Sequence, residues 1–160
     1  PGPPMLRISK LTDYATVILA ALSAQPEALH SASGLAERTG IAAPTVSKLL
    51  KGLQRSGLVR STRGARGGYQ LARPAHEISA AEIIDAVEGP VALTECASDH
   101  GHCGIEASCS VGHSWQRVSA AIHRSLQEVR LTSLIAHDAV VKAPDLRSAL
   151  GGGWRPLTRA

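Results

Sequence analysis

The chain has no phenylalanine, two tryptophans, two tyrosines and one methionine among its 160 residues. Hydrophobic residues still make up 44%, so the core must be built from Leu, Ile, Val and Ala, a set that suits closely packed helices. Any apolar run of about 18 residues is missing, so no membrane-spanning helix is expected. The N-terminal stretch lacks the basic-then-apolar order of a secretory signal. Met5 reads as the native start behind a short proline-rich leader, and the cytoplasm is the expected compartment. Paired catalytic carboxylates, a nucleotide-binding loop and a convincing catalytic triad are also missing, which argues against an enzyme. There is no internal repeat.

What is there is sharply segregated. Net charge is +4. Between residues 44 and 73 stand Lys48, Lys51, Arg55, Arg60, Arg63, Arg66 and Arg73 with no acid. Between residues 77 and 106 stand Glu77, Glu82, Asp85, Glu88, Glu95, Asp99 and Glu106 with no lysine or arginine. The first block can approach a polyanion and the second cannot. Two solvated faces of opposite sign are the plain alternative.

The apolar pattern places helices around both blocks. Leu11, Tyr14, Ala15, Ile18 and Leu22 recur at helical spacing and predict a first helix over residues 11–24. Ser33 is the candidate cap of a short second helix that stops at Gly40. Pro44 opens a third helix, with Val46, Leu49, Leu50 and Leu53 on its buried face and Gly57 at its close. Residues 58–62 and 69–72 read as two strands joined by a turn at Gly64, Gly67 and Gly68. Ser79 with Glu82 three residues on forms a capping box for a fourth helix. A last long helix is predicted over residues 114–137, with the stripe Trp115, Val118, Ile122, Leu126 and Val129 in need of a partner surface. Helix, short helix, turn, helix and hairpin is the winged helix-turn-helix order. The expected fold class is therefore mainly α with a small β-hairpin wing and a long added helix.

That order assigns roles. The first turn of a recognition helix reaches base edges in the major groove, which makes Thr45, Ser47 and Lys48 the candidates, with Lys51 a turn further on. Lys48 can donate to guanine or to phosphate. Arg63 and Arg66 sit at the glycine-rich wing tip, where an arginine beside a narrow minor groove is favoured. For Arg66 a solvated hairpin tip is an equal alternative.

The three cysteines, Cys96, Cys103 and Cys109, all fall within one Gly-, Ser- and His-rich segment. Structural zinc sites draw ligands from tighter pairs, while wider spacing leaves room for an iron–sulfur cluster. On spacing alone, cluster and zinc both stand, with unligated redox thiols as a third possibility. A fourth ligand is wanted. His100, His102 and His113 lie nearby and Asp13 lies far off in the first helix. A Cys109–His113 nucleophile–base pair has no orienting third group, so a thiol redox protein or metalloenzyme is the weaker rival.

The segments 5–15 (MLRISKLTDYA), 44–50 (PTVSKLL), 57–59 (GLV) and 63–69 (RGARGGY), with the three cysteines ahead of Trp115, resemble the Rrf-type winged-helix regulators. That family includes the IscR-type and Suf-type repressors of iron–sulfur assembly genes and the NsrR-type nitric oxide sensors. The resemblance implies a homodimer on a palindromic double-stranded DNA operator, its last helix crossing that of its mate. It implies an iron–sulfur cluster, [2Fe-2S] in preference to [4Fe-4S], on Cys96, Cys103 and Cys109. One branch of the family places a histidine three residues after the last cysteine; Gly112 stands there and His113 follows it. Another uses a carboxylate near the start of the first helix, reached from the partner subunit, and Asp13 matches it. The resemblance favours Asp13 over His113. The wing arginine of the family corresponds to Arg63, and the Suf-type members look most similar. The implied division is a DNA-binding domain over residues 5–90, a cysteine-bearing loop over 91–113, a dimerisation helix over 114–138 and a tail over 139–160.

Overall fold

A computed structural model of the chain describes residues 8–90 and 112–136. The expected tail and nearly all of the cysteine-bearing segment fall outside them. Helices α1 (Lys10–Ser23), α2 (Ala32–Thr39) and α3 (Ala43–Arg55) are followed by strands β1 (Val59–Thr62) and β2 (Gly68–Leu71). A single 3-10 turn at Ala75–Glu77 leads into α4 (Ala80–Glu88); α5 (Gly112–Glu128) and α6 (Leu131–Ile135) complete the described elements. The result is mainly helical with a two-stranded antiparallel wing.

The core is aliphatic, as the composition requires. Ile18, Leu19 and Leu22 of α1 meet Leu35 of α2, Val46, Leu50 and Leu53 of α3, and Ile83 of α4. Each such side chain contributes about 1.5–3 kcal/mol on burial. The predicted buried face of α3 is the observed one. In α1 the buried stripe is Thr12, Ala15, Ile18, Leu19 and Leu22, while Leu11 stays 37% exposed. The shift comes from the cap: Ser9 receives the Thr12 amide on its hydroxyl and starts the helix at Lys10.

The α2 cap is two residues before its predicted place. Ser31 receives the Gly34 amide at 3.0 Å, and Ser33 merely rests its hydroxyl against Ser31. Gly40 ends the helix at φ 69°, a left-handed position that suits glycine. In the wing, Val59 pairs with Leu71 and Thr62 with Gly68. Gly68 belongs to the strand and not to the turn, because a Cβ there would lie 2.9 Å from the His30 backbone. His30 pairs with Tyr69 through bonds of 2.9 and 2.8 Å and fixes the wing to the loop before α2.

The long final helix is broken. It begins at Gly112, stops at Glu128, bends at Val129, is extended at Arg130, and resumes as α6. Two backbone bonds explain the break. The Ala80 amide, one of the orphan donors at the start of α4, reaches the Val129 carbonyl at 2.8 Å, and the Leu131 amide reaches Ile78 O at 2.8 Å. Leu131 is thereby driven fully into the core. On α5 the deeply buried residues are Ala121 and Ser119. The predicted stripe is only half covered: Val118, Ile122 and Leu126 are intermediate and Trp115 is 44% exposed.

Candidate nucleic-acid interface and sensory segment

Helix α3 is divided lengthwise. Its apolar residues seat it in the core, and the remaining surface carries Lys48 and Lys51, both exposed, with Thr45 and Ser47 half-buried. Pro44 lies in the first turn, where its missing N–H costs nothing, and no acid stands in that turn. The wing holds Arg63 and Arg66 exposed at its tip. Gly64 at φ 114° and a Gly67 amide bonded to the Gly64 carbonyl at 2.9 Å make the tip tight. Lys48, Lys51, Arg63 and Arg66 form no ion pair with a described residue, so their charge is available to an outside polyanion. The structure thus presents one basic helix face and one basic hairpin tip.

The acidic block behaves differently. Glu82, Asp85 and Glu88 follow one another along α4 at three-residue steps, and each holds a different element. Glu82 accepts from Arg73, at the exit of β2, at 2.6 Å, and from the Ser79 amide at 2.9 Å, completing the predicted capping box. Partial burial alone would raise its carboxyl. The Arg73 guanidinium and the Ser79 amide and hydroxyl outweigh that and hold it below the ordinary range. Asp85 meets His123 of α5 at 2.9 Å. Glu88 accepts from the Thr12 hydroxyl and, at 2.9 Å, from the Ser9 amide, which pins the start of α1. The Thr12 hydroxyl, with the Ser9 amide behind it, keeps the Glu88 carboxyl low against a small desolvation effect. Two solvated faces is therefore the wrong description of this block among the described residues. The i, i+3, i+6 spacing was visible in the sequence; the partners, 9 to 79 positions away, were not.

Asp13 sits in the first turn of α1, exposed, at the edge of a cavity of about 670 Å³. Ile8, Thr12, Ile84, Leu126, Val129 and Leu134 supply most of the rest of its wall. Among the described residues no side chain donates to the Asp13 carboxylate, and Lys10 is its charged neighbour. Cys96, Cys103, Cys109, His100 and His102 lie outside the described residues. His113 falls in the first turn of α5. Among the described residues no three His, Cys, Asp or Glu side chains converge on a metal-sized site. None of their helices is long and apolar enough to cross a membrane.

Comparison with known proteins bears on the same segments. The Rrf2 family profile, an iron-dependent transcriptional regulator, matches residues 8–137. The IscR transcriptional regulator of Cereibacter sphaeroides is 33% identical over 138 residues, covering 83% of this chain and 89% of its own. Among solved structures, CymR, the global cysteine regulator of B. subtilis, superimposes with a TM-score of 0.62 at 27% identity, covering 84% of this chain and 99% of its own. IscR of T. potens superimposes with a TM-score of 0.57 at 27% identity, covering 81% and 86%. A family match over most of the chain, together with a basic helix and wing on a winged helix-turn-helix core, shows that this protein belongs to the Rrf2 family of helix-turn-helix transcriptional regulators and is IscR-like within it.

Proposed function

We propose that this DNA-binding regulator senses iron–sulfur, redox or nitric oxide status through a [2Fe-2S] cluster on Cys96, Cys103 and Cys109, and that it controls iron–sulfur assembly genes of the Suf type. The observation that carries this reading is the cysteine trio itself, placed by the sequence between the end of α4 and the start of α5. Three thiolates form a donor set that suits iron. The fit of a fourth ligand favours Asp13, whose carboxylate is exposed and beside a groove, over His113. When bound, the cluster would supply a redox-sensitive link between its ligands. The chain's own residues hold it: three soft donors before α5 and, from a partner subunit, one carboxylate on α1.

The same reading has the protein act as a cytoplasmic homodimer on a palindromic operator. The half-covered stripe of α5 and the groove beside Asp13 supply apolar surface for a second copy. Two half-sites about one helical turn, ~34 Å, apart would then meet two copies of α3. Thr45, Ser47 and Lys48 address base edges, Lys51 the phosphates, and Arg63 and Arg66 the adjoining minor groove. The deciding experiment is an ultraviolet–visible spectrum of anaerobically purified protein with iron and sulfide assays. Charge-transfer bands with equal iron and sulfide, lost in Cys103→Ala, are the expected result. Bound zinc without sulfide, or bare thiols, would replace the cluster by the zinc or thiol alternative. Asp13→Ala is expected to leave a labile cluster with an altered spectrum, and His113→Ala a nearly unchanged one.

A further inference from the structure

The wing is held to the protein through β2, by the backbone of His30, and at its root. Val59 and Leu71 are buried there, Tyr69 pairs with His30, and Arg73 leaves β2 to meet Glu82. Pro74 follows and restricts Arg73 to extended backbone, so the guanidinium is offered from a stiff segment. A capping glutamate needs one carboxylate oxygen for its helix. Here Oε2 takes the Ser79 amide and hydroxyl, and Oε1 is left for Arg73 at 2.6 Å. The same helix supports α3, whose Gly52 lies against the Ala86 carbonyl with a would-be Cβ 3.8 Å away. Recognition helix and wing are thus both referenced to α4, the exit of the wing through one carboxylate.

We propose that Glu82 is a positioning residue for DNA recognition: through Arg73 it sets where Arg63 and Arg66 stand relative to α3. The inference rests on the reading that the wing arginines touch DNA. Geometry gives it weight. A four-residue strand extends about 13 Å, so a tilt of roughly 5° at the root moves the tip by about 1 Å. Hydrogen bonds to a phosphate or base edge tolerate much less than that. The end of α5 shares the anchor, since the Ser79 region also carries the bonds to Val129 and Leu131. A shift of that junction therefore reaches the wing root along the same few residues.

The sign of the effect separates positioning from simple electrostatics. Removing a carboxylate from a protein that binds a polyanion should tighten binding; loss of wing position should weaken it. The variant is Glu82→Gln, whose amide oxygen still serves the helix cap. The probe is a duplex selected by the wild-type protein from random sequence. Glu82→Gln is expected to bind about 5-fold more weakly in the wild-type background and within about 2-fold of its parent in an Arg63→Ala background. Faster amide exchange in β1 and β2, with α3 unchanged, should accompany it. Arg73→Met, which leaves the capping box intact, is expected to show the same non-additivity and serves if Glu82→Gln folds poorly. Equal fold losses in both backgrounds, or tighter binding by Glu82→Gln, would overturn the proposal while leaving the wing contact standing. If Arg63→Ala alone binds as wild type, the wing reading itself fails and the positioning role falls with it.

Discussion

The basic half and the acidic half of this chain use charge in opposite ways. On α3 and the wing, Lys48, Lys51, Arg63 and Arg66 are exposed and form no ion pair with a described residue. On α4, Glu82, Asp85 and Glu88 are each committed to a different neighbouring element. A helix bound to a core by its apolar face alone leaves its charges for a ligand. A helix whose carboxylates join a wing root, a distal helix and the first helix is a structural hub. The segregation seen along the sequence is thus a division of labour: Lys48, Lys51, Arg63 and Arg66 stand outside the described ion pairs, Arg73 is drawn into the frame, and Glu82, Asp85 and Glu88 hold that frame together.

The largest effect expected from that contrast concerns the frame. Leu131 is fully buried although its helix follows a break, whereas Leu134 is 42% exposed three residues on. Leu131→Ala should lower unfolding stability by ~2–5 kcal/mol. Leu134→Ala should cost under about 1 kcal/mol, as surface changes do. Urea denaturation of the two variants measures both. Equal losses would mean that the α5–α6 junction does not depend on the bonds at Ile78 and Ala80.

The next effect lies on the DNA side and should leave stability untouched. Arg63→Ala should cost ~1–3 kcal/mol of affinity for a selected duplex, with an unfolding midpoint equal to wild type because the side chain supports nothing in the fold. Affinity should also fall steeply with salt, and less steeply in Lys51→Ala, by about one unit of logarithmic slope. A drop in stability with Arg63→Ala would blur the division between frame and presentation. Unchanged affinity would take the wing out of DNA recognition.

How much of this was legible from the sequence depends on the range of each interaction. Local periodicity carried α3 entirely, since Val46, Leu49, Leu50 and Leu53 recur at helical spacing and are the residues buried. The Ser79–Glu82 box was legible because both partners lie within one turn. The cap of α2 moved by two residues where two serines competed: Ser31, not Ser33, opens α2. The break at Val129 could not be read, because it answers an orphan amide at Ala80, 49 positions earlier, and no glycine or proline marks it. Gly68 looked like a turn residue for the same reason; only the approach of the His30 backbone reveals its place in the strand. At the candidate site, the exposed placement of Lys48, Lys51, Arg63 and Arg66 on α3 and the wing was legible by type and position. The bond of Glu82 to Arg73 and the roles of Asp85, Glu88 and His123 were not, since each depends on a partner brought in by the fold.

The smallest expected effect tests whether an acidic clamp works by charge. Glu88 receives the Thr12 hydroxyl and the Ser9 amide, and its carboxyl is held below the ordinary value. A group with a lowered folded-state pKa stabilises the protein fully above its unfolded value, near 4.3 in model peptides, and loses that contribution as pH falls through the folded value. Glu88 is exposed, so solvent screening keeps the gain under about 1 kcal/mol. In Glu88→Gln the amide oxygen still accepts both bonds, so the variant removes only the charge. Urea unfolding should therefore show a small, constant deficit for Glu88→Gln between about pH 5.5 and 7, narrowing below about pH 4 as the wild-type carboxyl takes up its proton. A deficit that stays the same down to pH 3 would show that charge adds nothing to this clamp. In that case the start of α1, and Asp13 with it, would be held by hydrogen-bond geometry alone.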